Sequence, residues 1–277
     1  SAQGLRFIVD ARLDNSKGIE MLHKVNSAPE IKGIYINGQW QSVARQFNDL
    51  NPCDDSLWAR IPDAGVTETR AAIDAAQTAF AGWAGLKFQE RAGYMLSIAD
   101  VIERKAHDFI SASQQEGGGW YGKGAYGVKA LSEIFKSAAA ACYAPIGEVL
   151  PSLNGKVSQV VRVPIGVVSV LSPWNFPGIL SARPFSFIIA AGNTVVLKPS
   201  EETPYIGGIF FGEVMEEAGV PPGVINVVTC SRDHVAEVGD ELIDSPLVKG
   251  VAFTGPTAVG RRVAAKCGAH LKKACIE

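Results

Sequence analysis

The stretch from Val167 to Glu201 reads VVSVLSPWNFPGILSARPFSFIIAAGNTVVLKPSE. It opens on a short, β-branched apolar run, Val167–Leu171, and returns to one at Thr194–Leu197, with a helix-length segment between them. Runs this short read as buried strands, and a strand–helix–strand succession at this spacing makes a parallel pair. Val224–Val228 and Gly250–Phe253 repeat the pattern, each followed by a helical segment of roughly ten to fifteen residues. The chain is therefore read as α/β, with a Rossmann-like open parallel sheet.

Working outward, the residues before Pro164 have a different character. Val149–Leu153, Asn154-Gly155 and Lys156–Val163 spell a hairpin with a type I′ turn. Its strands hold few core-facing residues for their length, which makes it an arm reaching toward another subunit. Further upstream, Ile73, Ala76, Phe80 and Trp83 recur at helical spacing behind Thr67, an expected N-cap. A second helix is expected from about Gln89, with Met95, Ile98 and Ile102 on one face. The Gly117–Gly119 break closes it, and a third helix is expected from about Val128 to Cys142. Ile34–Trp40 reads as two short strands about an Asn-Gly turn. Residues 1–33 have no sustained period and form an N-terminal extension; 34–277 form the domain.

Composition narrows the function. Of 277 residues, 47% are hydrophobic and 19% charged, ordinary values for a globular α/β protein. Lys plus Arg (26) nearly balances Asp plus Glu (28), so no basic footprint for nucleic acid or an anionic membrane is present. Apolar runs are too short to cross a bilayer, and the N-terminus lacks the pattern of a signal peptide. Five cysteines form no CxxC pair, and four histidines show no metal-ligand spacing. Reduced thiols, a cytoplasmic location and no metal site are the expectations.

Three strand ends carry polar groups, and open parallel sheets bind ligands at such ends. In Ser172-Pro173-Trp174-Asn175-Phe176-Pro177 the Asn175 amide either donates to a developing oxyanion or satisfies its own turn. In Lys198-Pro199-Ser200-Glu201 the lysine either reaches ribose hydroxyls or phosphate, or is simply solvated. Glu201 either accepts from an adenosine ribose, repelling a 2′-phosphate, or complements a helix dipole. In Phe253-Thr254-Gly255-Pro256-Thr257-Ala258-Val259-Gly260, Gly255 is expected to permit a sharp turn and Gly260 close helix–sheet packing. Between them a helix N-terminus offers N–H groups to an anion.

In this order and spacing the three blocks resemble the aldehyde dehydrogenase superfamily, from about Ile34 to Glu277. Gly219–Val228 adds to the likeness, and Val228–Asp240 leans toward the branch acting on aromatic aldehydes such as benzaldehyde or vanillin. The resemblance implies NAD as cofactor. Ser172, Pro173, Trp174, Lys198, Ser200, Glu201, Phe253, Thr254, Gly255, Pro256 and Val259 would form its site. It also implies Asn175 as the oxyanion-hole amide, Glu277 as the general base and 149–163 as the oligomerisation arm. Arg183 would line a substrate tunnel.

The family's nucleophilic cysteine lies beyond the position of Glu277, so the chain is expected to be a truncated, catalytically inactive homologue. Cys275 would share a strand face with Glu277 at about 7 Å but lacks anything to aim it at a nicotinamide. Glu277 is expected to fray. Pro256 stands where the resemblance implies serine. It is expected at the first helical position, at a loss of about 1–3 kcal/mol of NAD affinity. Apolar surface left uncovered should drive homo-oligomerisation or pairing with a full-length relative. An enzyme active only in longer or complemented form, and an interaction module, are the alternatives.

Overall fold

The computed structural model describes residues 28–277, so the expectation for 1–33 falls mostly outside the described residues. Strands β1 (Ile34–Ile36) and β2 (Gln39–Gln41) turn at Asn37 and Gly38, with φ of 54° and 73°, as the Asn-Gly signal demands. A second hairpin, β3 (Gln46–Leu50) with β4 (Leu57–Pro62), has no counterpart in the sequence reading.

Helix α1 (Val66–Ala84) is capped by Gly65, not Thr67. Glu68 decides this, because its Oε2 accepts the Gly65 N–H at 2.7 Å and closes the first turn ahead of Thr67. The expected second helix is two, α2 (Phe88–Arg104) and α3 (Ala106–Gln115), broken at Lys105. Helix α4 (Tyr121–Ala141) starts well before Val128. Two glycines in its first half serve packing. A Cβ on Gly127 would sit 2.7 Å from the Phe109 ring, and one on Gly124 3.1 Å from Ile110, so α4 lies directly on α3.

Strands β5 (Gly147–Leu150) and β6 (Ser158–Val161) form the expected hairpin, shorter than its sequence suggested, with Leu150 opposite Ser158. Asn154 and Gly155 lie at φ 58° and 70°, as a type I′ turn requires, but at the tip of a longer loop.

The rest alternates regularly. In order come β7 (Val167–Leu171), α5 (Pro177–Ala190), β8 (Thr194–Lys198) and a π-helical turn at Tyr205–Ile209 leading into α6 (Phe210–Glu217). There follow β9 (Ile225–Val227), α7 (Val235–Asp244), β10 (Val248–Phe253), α8 (Thr257–Ala269) and β11 (Lys273–Ile276). The sheet order is β11-β10-β7-β8-β9-β1-β2. Its first five strands are parallel; β1 joins β9 antiparallel through Tyr35 opposite Val227, so the sheet is mixed at that edge.

Side chains alternate across the sheet with period two. Val195 and Leu197 enter the core beneath α2, α4, α5 and α6; Val196 enters the other, with Ile73 of α1, Leu242 of α7 and Val263 of α8. Helices thus cover both faces, which is why the central strands read as nearly unbroken apolar runs. Met95, Ile98 and Ile102 are fully buried as expected, whereas Phe80 is only partly so.

Candidate functional site

The carboxyl ends of β7, β8 and β10 are laced together by backbone bonds that continue past the strands. Ser172 N–H donates to Lys198 O at 3.2 Å and Thr254 N–H to Leu171 O at 3.1 Å. Above this edge lies a cleft of about 310 Å³ between α7 and α8. Ser172, Lys198, Phe253, Thr254 and Val259, all anticipated from sequence, line it. Its other wall comes from α7, including Val235, Ala236 and Gly239, which sequence reasoning missed. The signal was there: helical spacing puts these residues on the face beside buried Val238 and Leu242.

Lys198 is only 6% exposed, which excludes the solvated-lysine reading. Its Nζ lies 3.8 Å from Glu201 Oε2, the one ion pair it makes among the described residues. Glu201 is also held by Arg232, Nη2 to Oε1 at 3.2 Å, and the same guanidinium bonds Glu202 at 2.7 Å. Ser200 is buried and accepts the Glu202 N–H at 3.3 Å. Of these five residues Lys198 lines the cleft and the other four do not; Glu201, Glu202 and Arg232 face a neighbouring hollow beside β3.

Ser172 is committed inward. Ser181 Oγ donates its single hydrogen to Gly207 O at 2.7 Å, so the 2.7 Å contact with Ser172 must be donated by Ser172. The adjoining Trp174 and Asn175 are exposed.

The third block departs from expectation in two ways. Gly255 has no positive φ; its lack of a side chain instead leaves room for the Phe253 ring, whose tip would lie 2.7 Å from a Cβ there. Its N–H is also occupied, donating to Glu277 O at 3.1 Å. Pro256 is the N-cap rather than the first helical residue, and its carbonyl accepts from Val259 and Gly260 at 3.0 Å each. The open donors at this helix start are therefore Thr257 and Ala258. Gly260 behaves as expected: a Cβ would lie 2.8 Å from Ile276 of β11.

Glu277 does not fray from the sheet. Its N–H donates to Phe253 O at 2.9 Å and its carbonyl holds Gly255. Arg183 of α5 pairs with its carboxylate at 3.6 Å, both side chains being more than half exposed.

Three thiols, Cys142, Cys230 and Cys267, are buried. Burial pushes Cys230 up to about 11 and raises Cys142 and Cys267 as well. Cys53 and Cys275 are exposed, and no cysteine lines the cleft among the described residues. No group of three or more metal-ligating side chains is found among the described residues, and no described helix is long and apolar enough to cross a membrane.

A second charged site lies under β3. Glu116 accepts the N–H groups of Tyr205 and Ile206, at 2.5 and 2.9 Å, capping the π-helical turn. Asp49 is buried next to it, with Oδ2 lacking a hydrogen-bond partner among the described residues. Burial first, then the charge of Glu202, pushes Asp49 up to about 7; burial and the Asp49 charge raise Glu116.

An open, largely parallel sheet covered by helices, with a cleft at its carboxyl edge, is the class this geometry defines. The chain belongs to the aldehyde dehydrogenase family, whose profile matches residues 40–277. Vanillin dehydrogenase of Pseudomonas fluorescens is 37% identical over 236 residues, 84% of this chain and 48% of that enzyme. Salicylaldehyde dehydrogenase from Pseudomonas putida G7, solved with salicylaldehyde, superposes with a TM-score of 0.85 at 31% identity, over 88% of this chain and 51% of that one. An NAD-dependent benzaldehyde dehydrogenase from Corynebacterium glutamicum gives 0.84 at 34%, over 90% and 55%. The chain spans about half the length of the curated relatives it matches.

Proposed function

We propose that residues 40–277 are the NAD-binding part of an aromatic aldehyde dehydrogenase, and that this chain by itself binds the dinucleotide weakly without oxidising aldehyde. The cleft at the ends of β7, β8 and β10 carries this reading. Its residues fit the cofactor. Lys198 is a buried cation with its head at the sheet edge, and two open N–H groups begin α8. When bound, NAD supplies the hydride acceptor. The chain's own residues orient it: Lys198 and Glu201 hold the adenosine ribose, and Thr257 and Ala258 face the pyrophosphate.

The Asn175 amide would donate to the aldehyde oxygen, and Glu277, steadied by Arg183, would take a proton from water. Among the described residues no cysteine lines the cleft, and burial raises the pKa of Cys142, Cys230 and Cys267. The second reading is an enzyme active in a longer or complemented form. The half-length span favours it, as does the exposed Arg183–Glu277 pair, which would suit a covering domain. We further propose self-association through β5–β6, whose residues face solvent on both sides.

Calorimetric titration with NAD to millimolar concentration tests the first reading. A saturable isotherm lost in Lys198→Ala supports it; absence of any heat sinks it. Benzaldehyde-dependent NADH formation by the pure chain would overturn the inactivity and leave the cofactor assignment standing.

A further inference from the structure

Resting on the aromatic-aldehyde reading above, we propose that Lys123 is a specificity-determining residue that selects aromatic aldehydes carrying an anionic oxygen group, such as a ring carboxylate. Lys123 lies in the first turn of α4, half-buried, with its Nζ 5.0 Å from the centroid of the Phe176 ring. None of the ion pairs among the described residues involves it. The first turn of α4 holds no acidic residue, and a cation there opposes the helix dipole, so helix stability gives no reason for a lysine at this position. Its stem runs beside Gly119, where a Cβ would lie 3.2 Å from Lys123 Cδ.

Phe176 joins this lysine to the reacting end of the proposed site. It caps α5 and directly follows Asn175, whose amide is assigned above to the aldehyde oxygen. With Gly127, Pro177 and Ile179, the lysine and this ring wall a notch of about 20 Å³, room for one oxygen-sized group but not for a second ring. The two segments that meet here also carry Trp120, Tyr121, Tyr126 and Trp174, each at least 60% exposed. Large aromatics left bare together suit a flat ligand. Charge then decides among such ligands. A ring with a neutral substituent gains the aromatic contacts alone, whereas a carboxylate adds a charge-assisted bond from an ammonium that no protein acid shares.

The test titrates the chain with 4-carbamoylbenzoate and with its neutral methyl ester, followed by nitrogen–proton NMR at low and high salt. The carbamoyl group stands for the aldehyde, so no lysine forms an imine with the probe, and the same spectra show whether each variant is folded. The wild-type chain should bind the carboxylate at least about fivefold tighter than the ester, an advantage that shrinks with salt. Lys123→Gln should erase that advantage while changing the ester less than about twofold, and Lys123→Arg should keep most of it. Asn175→Ala, at the carbonyl end, should weaken both probes alike. An equal loss of both probes in Lys123→Gln would mean that the lysine only packs on Phe176, and would overturn the proposal. So would equal affinity of the wild-type chain for the two probes, or binding of neither by a chain that still binds NAD. Failure of NAD as well would bring down the cofactor reading, and this inference with it.

Discussion

Val160, Val161 and Val163 are more than half exposed, while Val167 and Val170, only a few residues on, are fully buried. The same residue type in the same extended conformation thus occupies opposite environments on either side of Pro164. β-Propensity explains both strands and distinguishes neither. The difference lies in what covers them: β7 has α5 on one side and α7 on the other, whereas among the described residues β5 and β6 pair only with each other. A two-stranded ribbon is marginal alone, so its apolar residues are where a partner surface would add most.

If covering is what matters, removing bulk from the covered region should cost most. Phe185 of α5 is fully buried and packs edge-on to Phe211 at 4.9 Å. Phe185→Ala should lower unfolding free energy by about 3–5 kcal/mol in urea denaturation. Retention of stability within about 1 kcal/mol would mean that the core is looser than its packing indicates.

Covering also raises the penalty on charge, and Asp49 measures this. Its carboxyl titrates near 7 when folded and near 4 when unfolded, so the folded state keeps a proton that the unfolded state loses. Stability contributed by this group is full below about 4 and falls as pH rises through about 7. Asp49→Asn should leave stability near pH 4 unchanged and raise it near pH 8, by up to about 4 kcal/mol. An equal effect at both pH values would show that the pair is already solvated.

Between buried and bare lies the cleft mouth. Pro256→Ser restores an N-cap hydroxyl and a backbone donor, and should tighten NAD by about 1 kcal/mol and raise the thermal midpoint slightly. No gain in the titration would count against a role for this position in the anion site. The smallest effect belongs to the ribbon. Val149→Ser with Val160→Ser should change monomer stability by less than about 0.5 kcal/mol yet abolish self-association in light scattering. Unfolding of the monomer would show the hairpin to be part of the core after all.

The comparison also shows what the sequence could convey. The central strands were legible because burial on both faces erased polar alternation, and both Asn-Gly turns because positive φ selects those residues. Strand β3 was not, since Gln46–Leu50 is mostly polar and gains its place by pairing with β4. Helix α4 was placed too far downstream, from Val128, although it begins at Tyr121, soon after the Gly117–Gly119 break, with Gly124 and Gly127 inside it as packing residues. At the site, the polar residues of the strand ends were found by their oddity in apolar surroundings. The α7 wall was missed because its small apolar residues look like any other helix face.

The bond from Gly255 N–H to Glu277 O has a thermodynamic consequence. It ties an amide at the mouth of the cleft to the outermost strand of the sheet. Peeling β11 away would release that amide at the point where a pyrophosphate is proposed to lie, so edge opening and anion binding are linked equilibria. Whatever anion recruits Gly255 must first compete with β11. The hydrogen-exchange rates of Gly255 and Glu277, whose N–H is held by Phe253 in the same ladder, should therefore rise and fall together.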